Sequence, residues 1–403
     1  MSEPLLYIFD DHRARRWAPF TLTRPAGEIL YGCLLLRERA EHVFGLRCAG
    51  HVSRPALEGF DEPGAAPVIQ TEQVPTDAVR ILLLSRAVPD FQELPSLQAP
   101  ARITVGGQPA GWVLGPGDPL PDDGLLRFPQ RAEGTELALS GHVLEYPWHL
   151  VAGTPTRIAG DVAELFPHDD GASGVVRVGS GALSLADGAE IEPGVVVDTR
   201  QGPVRLEAGA RVEGPARLTG PLFVGRDTLV FGGSVGTSSI GPVCKVRGEV
   251  ADSVLLGFVN KAHDGHLGHA VLGRWVNLGA GTTNSDLKNN YASVRVWTLD
   301  GGVDTGLTKV GCFMGDHVKT GIGTVLNTGT VVGAASNVFG GLMPPAVVPP
   351  FSWGSGTDLR DYRFEKFLRA AERTMARREQ SLTPGALKIL TRAWHETRVR
   401  RAV

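Results

Sequence analysis

Three histidines, His263, His266 and His269, fall within residues 260–291, which read NKAHDGHLGHAVLGRWVNLGAGTTNSDLKNNY and also hold two lysines and five asparagines. An imidazole titrates near neutrality, so each is a candidate for giving or taking a proton at physiological pH. Three imidazoles beside Asp264 also raise the idea of a metal cluster. One aspartate with no cysteine nearby is a thin donor set, and we assign no metal ligand here. A lone histidine is by default a loop residue. The tract around this stretch is rich in glycine, valine and alanine, however, so polar residues that interrupt it point beyond packing.

That tract has a period. Leu206, Val212, Leu218, Val224 and Val230 recur every six residues, and Met314, Thr320, Leu326, Val332 and Val338 repeat the pattern later. Small or branched residues tend to follow four places on: Ala210, Ala216, Thr228 and Ser234, then Val318, Thr324, Thr330 and Ser336. The pairs Leu272/Val276 and Leu278/Thr282 fit the same grid. Period six is neither helical nor strand alternation. It is the hexapeptide repeat of a parallel β-helix, in which each short strand turns one apolar residue inward. Two stretches break the grid, Phe258–Gly268, which holds His263 and His266, and Asn284–Lys309, with "VNLGAGT" between them.

The flanks differ. "LLYIF" (5–9) and "AVRILLLS" (78–85) are buried-strand candidates, with helical spacing between them through Ile29, Leu30, Cys33, Leu34 and Arg37. Strand, helix, strand suggests an α/β domain; Pro and Gly from Leu94 to Pro121 allow no assignment there. Near the C-terminus, Leu359, Tyr362, Phe367, Ala371 and Met375 share a helical face, and Thr383 with Pro384 opens a second helix as N-cap and first residue. The expected division is 1–155 α/β, 156–174 linker, 175–352 β-helix and 353–403 helical.

Composition bounds the function. Forty basic and 43 acidic side chains give a net charge of −3, which calls for neither nucleic acid nor an anionic membrane. The N-terminal residues lack the order of a signal peptide and no apolar run is long enough to span a bilayer. The four scattered cysteines suit a reducing compartment, so a cytoplasmic location is expected.

"KAHDGHLGHAVLG" followed by "VNLGAGT" resembles the acetyltransferase half of bifunctional glucosamine-1-phosphate acetyltransferase/N-acetylglucosamine-1-phosphate uridyltransferases. It is more similar still to sugar nucleotidyltransferase-like proteins carrying "HDG-LGH…WVNLGAGT-NS-LKNNY". The resemblance, densest over 240–341, implies a left-handed β-helix that forms a homotrimer, with active sites between subunits and acetyl-CoA or another acyl-CoA along the coils. It implies His263 as catalytic base, Asn277 as a sugar contact, and His266 in the place of an aromatic contact residue. Backbone N–H groups at Gly279, Ala280 and Gly281 would receive the oxyanion formed when an amine attacks a thioester. Lys288, Asn289, Asn290 and Tyr291 would reach a phosphate or the acyl carrier. Gly233 and Ala251 replace an arginine and a lysine that hold the sugar phosphate in the family, with Lys245, Arg247 and Lys261 near enough to substitute.

"YIFDDHRARRWAPFTLTRP" and "YPWHLVAGTP" resemble the same second family, which implies a nucleotidyltransferase-like α/β domain. The loop after Phe9 has no glycine, so backbone amides do not approach a nucleotide closely. Ala26 stands where the family has lysine, and no aspartate follows "RILLLS" to hold magnesium. Side chains remain for phosphates: Arg13, Arg16 and Arg24. The expectation is a transferase acting on a sugar phosphate or nucleotide sugar. Its rivals are a nucleotidyltransferase whose β-helix only trimerises and regulates, and a non-catalytic sugar-nucleotide-binding scaffold.

Overall fold

The computed structural model describes residues 3–120, 135–170, 172 and 174–398. Parts of the expected α/β domain (1–2, 121–134), linker (171, 173) and C-terminal segment (399–403) lie outside the described residues.

Leu5–Phe9 and Arg80–Leu84 are central strands of a seven-stranded sheet ordered 135–139, 101–105, 108–114, 80–84, 5–9, 48–52, 68–69. Leu5–Phe9 runs parallel to both neighbours. Every residue of Arg80–Leu84 is buried, as in a strand covered on both faces. Its Arg80 donates to the carbonyls of Gly115 and Asp118 at 2.6 and 2.8 Å. The unassigned stretch 94–121 contains two strands of this sheet, Ala101–Val105 and Gln108–Leu114, joined at Gly106–Gly107.

The helix expected from Ile29 begins only at Leu36, as α1 (Leu36–Phe44). Residues 30–35 form a small hairpin instead, Leu30–Tyr31 against Leu34–Leu35. The reason is tertiary. In α2 (Trp148–Leu165) the buried Asp161 bonds the Cys33 amide at 2.9 Å and Arg39 at 2.6–2.7 Å. Gly32, at φ 70°, presses so closely that a Cβ would lie 2.4 Å from Asp161. The expected boundary at 155 falls inside α2, with Pro155 within the helix.

From Val176 to Val348 the chain winds as a parallel β-solenoid with three faces. The first face stacks six strands, from Val176–Val178 to His266–Gly268, and the second nine, from Leu183–Leu185 to Val347–Val348. The third runs from Glu190–Ile191 to Asn260–Lys261 and continues through bridges from Asn260 to Asn277 and on to Lys319. The six-residue ladder is the inward one: Leu206, Val212, Leu218, Val224 and Val230 have no exposed area. Ser234 departs from the grid. It is exposed, and Val235 takes the inward place one residue later.

Each coil passes from the second face to the third through a left-handed residue, including Asp227, Val243, Phe258, Trp275, His317, Ala335 and Phe351 at φ 55–64° or, for Phe258, 54°. Such a conformation costs about 1–2 kcal/mol per non-glycine residue, which stacking offsets: Phe258 lies 4.1 Å from Trp275, and Trp275 6.3 Å from His317. This corner is covered by α3 (Phe364–Ala376) and α4 (Pro384–Glu396), whose Phe367, Ala371, Leu390 and Ala393 bury against Ala335 and Phe351. Leu359 belongs to a strand, Asp358–Asp361, rather than to the helix. Thr383 caps α4 by accepting the Ala386 amide at 3.0 Å.

The excursion 284–309 holds a hairpin, Arg295–Thr298 with Gly301–Asp304. Its Val296 and Trp297 pack with Trp17 and Trp148 of the α/β domain and with Val271 and Phe313 of the solenoid. Among the described residues no helix is long and apolar enough to cross a membrane.

Candidate functional site

The solenoid turns sharply between Asn260–Lys261 on the third face and His266–Gly268 on the first. His263 sits on that corner, exposed, and its imidazole has no hydrogen bond or ion pair among the described residues. The corner is braced from inside. The Lys261 side chain is buried, and its ammonium donates to the Arg247 carbonyl at 2.8 Å and to the His263 carbonyl. Burial pushes this ammonium down to about 8. Lys261 therefore leaves the set of expected substrate contacts, because it is buried and spends two of its three donors on backbone that fixes His263.

Beside the corner lies an acid–imidazole cluster. The first-face ladder pairs Glu249 with His266, and His266 Nδ1 is 3.3 Å from the Glu249 carboxylate. Its Nε2 is 3.7 Å from Asp286, whose same oxygen is 2.7 Å from His269 Nδ1. Asp252 lies 3.8 Å from His269 Nε2. Contact with Asp286 raises the His266 pKa against the opposing effect of burial, and His266 and His269 in turn hold Asp286 below its ordinary range. Burial raises Asp252. Asp286, Glu249 and Asp252 are absent from the sequence-based set. The signal was weak: Asp286 lies in the polar break, but only the stacking of coils brings it under two imidazoles.

The expected oxyanion amides need correction. Gly279 N–H donates to Thr320 at 3.1 Å and Gly281 N–H to the Asp264 carbonyl at 3.0 Å, so both belong to the coil-to-coil ladder. Among the described residues only Ala280 of the three has an amide without a backbone acceptor. The glycine at 279 is required by packing, since a Cβ there would lie 2.5 Å from the Gly321 backbone. Asn277 lies on the third face, its Oδ1 accepting from Asn260 at 3.0 Å. Lys288 donates to the Ser293 carbonyl at 2.6 Å, Asn290 Oδ1 accepts the Ala292 amide, and Asn289 and Tyr291 are exposed. That turn is organised by its own contacts.

In the α/β domain the expected arginines separate. Arg13 and Arg16 line one cavity of about 280 Å³ with Trp17, Tyr146, Trp148 and Trp297, where Arg13 pairs with Glu145 and Arg16 with Asp300. Arg24 is elsewhere and must be withdrawn as a phosphate ligand. It is buried, 2.9 Å from Asp316 and 2.8 Å from Glu62, both of which raise its pKa against burial. Its guanidinium is already neutralised between the domain and the solenoid. At the end of Leu5–Phe9, Asp11 takes Arg86 at 2.8 Å and the Ala14 amide, and Asp10 takes Ser53 at 2.5 Å. Both carboxylates are thus consumed by protein donors, so these residues do not fit a magnesium site.

Residues 6–167 match the family model described as sugar nucleotidyl transferase. A bifunctional sugar-1-phosphate nucleotidylyltransferase/acetyltransferase from Sulfurisphaera tokodaii is 32% identical over 93 residues, 23% of this chain and 23% of that protein. The bifunctional protein GlmU from a Nostoc species is 27% identical over 177 residues, 38% of this chain and 35% of the relative. The chain thus spans about a quarter to a third of the length of these relatives. Among solved structures, a mutant of the N-acyltransferase AntD from Bacillus cereus, in complex with dTDP-4-amino-4,6-dideoxyglucose and coenzyme A, is 15% identical, covering 49% of this chain and 90% of that one at a TM-score of 0.21. The solenoid described above rests on its own strand ladder.

Proposed function

We propose that the chain is a transferase that acylates an amino group on a sugar phosphate or nucleotide sugar, with an acyl-CoA as donor and the first-to-third-face corner as reaction site. The observation that carries this reading is the unpaired, exposed imidazole of His263, held in place by a buried lysine and bordered by the His266–Asp286–His269 cluster. A free imidazole accepts the proton that the acceptor amine releases as its nitrogen bonds to the acyl carbon. The C–S bond then breaks, and the departing thiolate receives a proton. His266, whose cationic form Asp286 favours, suits an anionic acceptor group, and the Ala280 amide is the remaining backbone donor for the oxyanion. An acyl-CoA would supply the thioester. The matching family and relatives support the sugar and acyl chemistry, and a left-handed winding, a homotrimer and a cytoplasmic location accompany the reading.

A second reading is favoured for the α/β domain by the Asp11–Arg86 and Asp10–Ser53 contacts. They occupy the strand end where a nucleotide and magnesium would need free groups, so this half binds or supports and does not catalyse nucleotidyl transfer. Arg13 and Arg16, which share a cavity, remain its candidate nucleotide contacts.

The test is steady-state acyl transfer with His263→Ala, His266→Ala and the parent. His263→Ala should lower kcat by ~10²–10⁴-fold with acyl-CoA binding nearly intact. His266→Ala should act mainly on the acceptor's KM. Equal kcat for parent and His263→Ala would remove His263 from the chemistry.

A further inference from the structure

Away from the His263 corner, the third face and the end of α3 enclose a cavity of about 310 Å³. Four cationic side chains line it, Lys245 and Lys319 from the third face, with the coils of Asn260 and Asn277 between them, and Arg377 and Arg378 from the residues that follow α3; Asn260, Asn277 and Thr374 are neutral polar groups. Among the described residues no carboxylate lines it. The buried Arg24, Arg37 and Arg39 each have a carboxylate within 3 Å, whereas Lys245, Lys319 and Arg378 are half-buried here, and Arg377 exposed, without one. None of these four cations forms an ion pair or a side-chain hydrogen bond among the described residues; Lys245 only faces the Phe231 ring at 5.9 Å. Burial pushes the Lys319 ammonium down to about 8, and burial with the nearby Arg378 and Arg377 pushes Lys245 down. Four mutually repelling cations held together cost stability unless something anionic enters.

We propose that this cavity is a binding site for a diphosphate group. A single phosphate would leave much of the charge unmatched. Two adjacent phosphoryl groups offer two to three negative charges and enough acceptor oxygens for two guanidinium and two ammonium groups, with the Asn260–Asn277 amides reaching a neighbouring hydroxyl. The volume is at the lower end of small-ligand sites, adequate for a diphosphate with part of what it carries. Two sources share this chemistry: the diphosphate of coenzyme A and that of a nucleotide sugar. The site stands independently of the role given to His263, because its cations lie on another face and its readout is binding.

The experiment is calorimetric titration of the full chain with inorganic pyrophosphate, coenzyme A and UDP-glucose, with melting temperatures measured in parallel. Pyrophosphate should bind and raise the melting temperature. Arg377→Ala and Arg378→Ala should each weaken it about tenfold or more, and Arg360→Ala, an exposed arginine paired with Asp358, should not. Lys319→Met separates ligand binding from a structural role: it should abolish binding while raising the melting temperature of the unliganded protein, because it removes a half-buried unpaired charge. Loss of coenzyme A binding in Lys319→Met assigns the diphosphate to the acyl donor, and loss of UDP-glucose binding assigns it to the nucleotide sugar. Failure of all three probes to bind, or binding unchanged in Lys319→Met and Arg378→Ala, overturns the proposal. Neither result bears on the kcat of His263→Ala, so the two readings fail separately.

Discussion

Replacing Arg24 by Met distinguishes a ligand-binding arginine from a structural one. In the structure Arg24 is 2% exposed and donates to Asp316 at 2.9 and 3.2 Å and to Glu62 at 2.8 and 3.1 Å. Asp316 is itself buried, and after the change it keeps only Thr23 and the Arg274 amide, at 2.8 and 2.7 Å. Glu62 keeps Arg274 at 2.9 Å. The uncompensated group is therefore the Asp316 carboxylate, and breaking a buried pair in this way costs about 3–5 kcal/mol. If the 403 residues melt as one unit, an unfolding entropy of about 2.1 cal/mol/K per residue gives roughly 0.85 kcal/mol/K, hence a fall of about 4–6 °C. Thermal melting followed by circular dichroism measures this. Adding Asp316→Asn should restore most of the loss, since the amide oxygen still accepts the Arg274 N–H and no buried charge is stranded. A melting temperature within about 1 °C of the parent, combined with weakened nucleotide binding, would refute the structural assignment and return Arg24 to the phosphate-binding set.

Asp286→Asn should lower the pKa of His266, measured by NMR titration of its ring protons, because the contact that raises it is removed. Under the proposed reading, in which cationic His266 holds the acceptor, the alkaline limb of kcat/KM should shift down with it. His317 is buried between Trp275 and Phe367, and burial pushes it to about 3. The unfolded chain takes up a proton near pH 6.5 while the folded one does not, so stability falls as pH drops from 6.5 toward 3, by about 2 kcal/mol at pH 5. His317→Gln should flatten the melting temperature between pH 7 and 5. Leu272→Ala, in the fully buried solenoid ladder, should cost about 2–5 kcal/mol in urea unfolding, whereas Ile322→Ala, 78% exposed, should change little.

The sequence alone determined the repeat. A side chain pointing into a coil has one neighbour above and one below, so period six in Leu206–Val230 and Met314–Val338 carries its own geometry, and those residues face inward. Thr383 and Pro384 likewise marked a helix start by local chemistry alone. The His263 corner was legible as a break in that repeat. Tertiary structure decided what local patterns could not. Asp161 in α2 turned an expected helix at 30–35 into a hairpin, and Asp316, 292 residues away, took Arg24 from the nucleotide set. The ladder between coils spent the Gly279 and Gly281 amides, while stacking placed Asp286 under two histidines. The third face and the end of α3 gathered four cations from residues 245 to 378. A residue's reach is set by its own chemistry, but which partner it finds depends on how distant segments pack, and no spacing in the chain records that.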